Sequence, residues 1–99
     1  MSIEFDPKDP AEIVPLVFDF ANLTATPVSP VISVARESGP KGPTDLSGML
    51  AGAAQIVGAE VRQRIQAGTA GTVYKIRCQV DDGAGSRYVI AGLLPVETA

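Results

Sequence analysis

Residues 72–80, TVYKIRCQV, alternate without a break. Tyr74, Ile76, Cys78 and Val80 fall on one side, and Val73, Lys75, Arg77 and Gln79 on the other. A period of two with one apolar and one charged side predicts a strand lying with one face on a core. The next stretch, DDGAGS, is rich in residues that tolerate positive φ. RYVIAGLLPV then returns as a second apolar strand, so 72–96 reads as a hairpin, with Pro95 at its end or edge. Residues 60–66 repeat the alternation, with Val61, Gln63 and Ile65 against Arg62, Arg64 and Gln66. Upstream, IVPLVFDF (13–20) sets Leu16, Phe18 and Phe20 opposite Val17 and Asp19. Pro15 there suits a strand start or an edge. PVSPVISVARE (27–37) predicts another strand, and its prolines, Pro27 and Pro30, point to an edge position or a late start near Val31.

The intervals carry turn chemistry. SGPKGPTD (38–45) is a loop by its glycines and prolines. Residues 46–58 admit two readings. Met49, Leu50, Ala53, Ala54 and Val57 form a helical stripe behind Asp45 or Ser47 as N-cap. Gly48, Gly52 and Gly58 each cost a helix about 1 kcal/mol relative to Ala, which favours irregular chain with a short strand near 55–58. Residues 1–12 are polar and hold Pro7 and Pro10, so they predict an extended arm ahead of one β domain over 13–99. About five or six strands with frequent turns, and no alternation of strand and helix, predict an all-β chain folded as a small antiparallel β-sandwich or barrel.

One spacing narrows this. Gly71-x-x-Tyr74-x-Ile76-x-Cys78 resembles the entry to strand F of immunoglobulin and fibronectin-like sandwiches. There a tyrosine hydroxyl bonds the backbone of the preceding crossover loop. Here that loop is Ala67-Gly68-Thr69-Ala70-Gly71. The second cysteine and the core tryptophan of antibody domains are absent.

Composition then removes functions. The chain has 99 residues, enough for one domain, and a net charge of -3. That balance disfavours phosphate-backbone binding, so nucleic acid is not an expected partner. Histidine is absent and Cys78 is alone, so neither a Cys–His nucleophile, nor a zinc site, nor an intrachain disulfide is expected. Inward parity makes Cys78 a small buried apolar residue. Asp81 and Asp82 read as turn formers before calcium ligands. No glycine pattern has the context of a phosphate loop, and five aromatics are few for base stacking. An enzyme and a cofactor are therefore not expected. The acidic N-terminus lacks an apolar h-region, so no signal peptide is expected. The apolar run 49–57 is too short to span a bilayer. A lone cysteine suits a reducing compartment.

Charge is uneven along the chain. Glu4, Asp6, Asp9, Glu12 and Asp19 face only Lys8 in residues 1–20, whereas Arg62, Arg64, Lys75 and Arg77 face only Glu60 in 60–77. These are either solvated faces or the two halves of a contact in which the acidic arm lies on a basic face of the next copy. Candidate interface residues are Phe5, Lys8, Asp9, Glu12, Arg62, Arg64, Lys75 and Arg77.

Two segments resemble a family of small tailed-phage virion proteins, the phage fibre-tail adaptors. One is Lys8-Asp9-Pro10-Ala11-Glu12 leading into Phe18-Asp19-Phe20-Ala21-Asn22-Leu23. The other is Ala67-Gly68-Thr69-Ala70-Gly71-Thr72-Val73-Tyr74, followed by a strand, a turn at 83–85 and a last strand. Relatives tend to carry Asp-Trp where this chain has Asp19-Phe20, and residues 36–60 add nothing to the likeness. The resemblance implies an immunoglobulin-like structural domain, made in the bacterial host cytoplasm and built into the virion in many copies. It would join tail or neck proteins and fibres in a symmetric assembly, with those proteins and its own copies as partners. Two other roles fit a domain of this kind: capsid decoration at symmetry axes, and a stand-alone ligand-binding module using Tyr88 and Phe5.

Overall fold

The computed structural model describes residues 2–40, 42 and 45–99, so the predicted loop over 38–45 lies partly outside the described residues. Among the described residues the chain forms seven strands: β1 (Ser2–Glu4), β2 (Val14–Asp19), β3 (Val28–Ser38), β4 (Gln55–Val57), β5 (Glu60–Ile65), β6 (Thr72–Asp81) and β7 (Arg87–Val96). One 3-10 turn, Ser47–Met49, falls between β3 and β4.

The predicted hairpin holds register along its whole length, from Thr72↔Val96 to Asp81↔Arg87. It forms the middle of a larger sheet of order β1-β7-β6-β3, which faces a smaller sheet of order β2-β5-β4. The larger sheet contributes Tyr74, Ile76, Cys78, Val80, Ile90, Leu94 and Val96 to the core, and the smaller contributes Leu16, Phe18, Val61 and Ile65, with Phe20 just beyond β2. Each is the apolar side of an alternation, because burying that side on one layer leaves the charged side to water. Successive strands cross between sheets after β1, β2, β3 and β5. This is the immunoglobulin-like Greek-key order, with the first strand moved beside the last.

The tyrosine corner forms. Tyr74 Oη accepts a hydrogen bond from the Thr69 backbone N–H at 2.9 Å. Gly68, at φ +98°, passes against the ring, and a Cβ there would lie 3.0 Å from Val96 Cγ2.

Residues 46–58 take the non-helical course. The 3-10 turn buries Met49. The chain then runs beside the end of β5, with Gln66 N–H donating to Met49 O and Ala51 N–H to Arg64 O. Gly52 and Gly58 have φ of +85° and +60°, which no right-handed helix accommodates. β3 starts earlier than Val31. A bulge between Val28 and Val31, with Ser29 at φ +53°, lets Pro30 sit in the strand without a donor to give.

The N-terminal segment is extended, and it lies on its own chain. β1 pairs with β7 in parallel. Beyond it, Phe5 N–H donates to Leu93 O, Lys8 N–H to Pro95 O, and Glu97 N–H to Lys8 O. The Phe5 ring meets Phe18 edge-on with centroids 5.5 Å apart. Gly92 makes room for this course, since a Cβ there would come within 2.9 Å of Ile3 Cγ1 and still closer to the Phe5 ring.

Candidate protein interface

The eight candidate residues fall in three separate places. Lys8, Asp9 and Glu12 sit where the N-terminal segment turns from β7 towards β2. Lys8 is buried, and its ammonium donates to Ala67 O at 2.6 Å and Asp9 O at 2.8 Å. Burial pulls its pKa below the ordinary lysine value, against the opposing pull of the Glu12 and Asp9 carboxylates. Lys8 is thus a post between the N-terminal segment and the loop before β6, and it presents no charge to a partner.

Asp9 is also engaged within the chain. Its Oδ1 accepts from Ala99 N–H at 2.9 Å and its Oδ2 from Ala11 N–H at 2.7 Å. These backbone donors hold its carboxyl below the usual range. Glu12 closes the turn by accepting from Asp9 N–H at 2.7 Å, while Glu12 N–H donates to Asp9 O. The Lys8–Glu12 run that carried the resemblance is therefore a reciprocal cap. Phe5, half-buried, serves the core through Phe18.

Arg62 and Arg64 alternate with the buried Val61, Gln63 and Ile65, and so face out from the smaller sheet. Arg62 lies between Val17 and Gln55 in register and pairs with Glu60 of its own strand at 2.9 Å. Lys75 and Arg77 alternate with the buried Tyr74, Ile76 and Cys78, and so face out from the larger sheet. The core separates the two pairs, so the basic stretch seen in sequence is two cationic patches on opposite outer faces.

Sequence reasoning missed a groove on the side of the sandwich where residues 5–7 pass β2. Phe5, Asp6, Pro7, Glu12 and 14–17 line about 340 Å³. Its lining residues all lie within 5–17, and the course of the N-terminal segment along β7 sets them around a recess beside β2. Ile13 and Val17, exposed by 56% and 39%, stand beside or on it.

Residues 8–90 match the family described as podophage GP4 fiber-tail adaptor protein gp77. The chain belongs to this family. No curated protein matches it, and no solved structure does. The matched span starts at Lys8, runs through 36–60, which carried no resemblance, and ends inside β7. A fibre-tail adaptor is a structural part of the bacteriophage virion.

Cys78 is buried, and loss of water pushes its thiol up to about 12. Asp81 pairs with Arg87 at 2.8 Å, and Asp82 Oδ1 accepts from Ala84 and Ser86 N–H, so both acids build the hairpin tip. Among the described residues no three His, Cys, Asp or Glu side chains converge as a metal group. No helix is long and apolar enough to cross a membrane.

Proposed function

We propose that this adaptor is a non-enzymatic joint, present in several copies at the junction of tail or neck and fibre. In this account it is made in the host cytoplasm and ends in the particle, gripped by other virion proteins and by its neighbours. The single observation that supports this most is the family match over 8–90, which spans both sheets and the cap of the N-terminal segment. The physical character of the molecule agrees. Asp9, Glu12, Asp81 and Asp82 are tied up in turns and caps, and both outer faces carry charged side chains. Among the described residues β1 and β3 edge the larger sheet and β2 and β4 the smaller, which offers edges for pairing with a partner strand.

The test is a phage carrying a deletion of this gene. Particles assembled without the protein should have tails that lack fibres, and supplying the protein in trans should restore them. Fibre-bearing, infectious particles without it would overturn the proposal.

A further inference from the structure

Four strands of the larger sheet form a platform whose centre is cationic. Lys75 lies between Ala35 and Leu93 in register, and Arg77 between Ser33 and Ala91. These neighbours are short or only half exposed, so both cations stand above them. Among the described residues no carboxylate comes within ion-pair distance of either, although Arg62 and Arg87 each have one. Glu4 of β1 shares this face across Leu93 from Lys75, but the Arg77 row holds no acid, so the pair is open to an acidic surface from outside the chain.

The same chain offers such a surface. The groove between residues 5–7 and β2 carries Asp6 and Glu12 on apolar walls that include Val17. Neither acid is ion-paired among the described residues. β7 and β1 stand between β6 and that side of the molecule, so one chain cannot bring its own cations into its own groove.

We infer that Lys75 and Arg77 of one copy enter the Asp6–Glu12 groove of the next. This rests on the adaptor reading and names the surfaces through which its copies meet. The two surfaces differ, so the contact is heterologous and repeats from copy to copy, as a ring requires. Charge and shape agree: two long side chains project from a flat face, and a recess holds two carboxylates. Lys8 and Arg62 are engaged within the chain, and so are both carboxylate oxygens of Asp9, whereas Glu12 commits only Oε1; Arg64 lies in register with Pro15 of the groove wall and so belongs to the receiving side.

Sedimentation velocity on the purified protein tests this. Wild type should associate at about 0.05 M salt and dissociate at about 0.5 M, where screening shortens to a few ångströms. Lys75→Glu with Arg77→Glu should be monomeric at both. Asp6→Lys with Glu12→Gln should be monomeric too; the Gln oxygen keeps the bond to Asp9 N–H. Each variant should retain a cooperative melt, and Asp6→Lys alone, which breaks no hydrogen bond, replaces the double change if that one unfolds. Mixing the two variants should restore association, because each reversed surface then meets an opposite charge. A monomeric wild type, variants that associate like wild type, or a mixture that stays monomeric would each overturn the contact. None of these results bears on whether the protein is needed for fibre attachment, which the gene deletion reads separately.

Discussion

Tyr74 joins two levels of the fold in one side chain: its ring fills the core and its hydroxyl ties down the loop that crosses between sheets. Tyr74→Phe keeps the ring and leaves the Thr69 N–H without its partner. It should cost about 1–2 kcal/mol in urea denaturation, with an unchanged slope. Cys78 gives a pH-dependent counterpart. Its thiol holds its proton up to about 12 in the fold, against an ordinary value of 9.0. Between those values the unfolded chain has lost a proton that the folded chain keeps, so stability falls as pH rises from about 9 to about 12. The slope attributable to Cys78 is at most about 1.4 kcal/mol per pH unit. Cys78→Ala should lower stability at neutral pH through lost packing and flatten that alkaline slope. An identical slope in the variant would contradict the assignment. Both residues were legible beforehand because a period of two fixes parity. Lys8 was not. A lysine among prolines and acids carries no sign of burial, and the carbonyl that receives it, Ala67 O, is 59 residues away.

Among the elements, the N-terminal segment departs most from the idea of an arm resting on a neighbour. Ile3 and Phe5 alternate with Glu4 and Asp6, a short strand pattern that the surrounding prolines and charges obscured. The structure completes a sheet with it and covers Phe18 with its aromatic ring. Removing residues 1–7 should therefore destabilise the domain by about 2–4 kcal/mol, the burial of one aromatic plus a strand pairing. An unchanged denaturation midpoint would mean the segment is dispensable to the fold. Gly92→Ala should have a related effect with the segment still attached: the added methyl displaces Ile3 and Phe5, and limited proteolysis should then cut before Pro10. The hairpin β6–β7 and strand β5 needed only their alternation to be seen. Residues 46–58 were harder, because an apolar stripe and three glycines pull in opposite directions. Positive φ at Gly52 and Gly58 decided the matter.

Seen whole, the molecule is an immunoglobulin-like sandwich whose mainly apolar interior also takes in Lys8, Gln63 and Thr72. The fold class followed from the strand count and the absence of any alternation of strand and helix. The distribution of charge over the surface did not, because sequence order brings Arg62, Arg64, Lys75 and Arg77 together while the sandwich parts them. Charge reversal at Lys75 and Arg77 should therefore disturb assembly at low salt in the same sedimentation experiment. The most direct test of the adaptor role is cryo-electron microscopy of the intact particle, with this sandwich fitted to the density. The account predicts it at the tail–fibre junction in the few copies of a closed ring. Hundreds of copies on the head, or density at the junction that the fold does not fit, would contradict it.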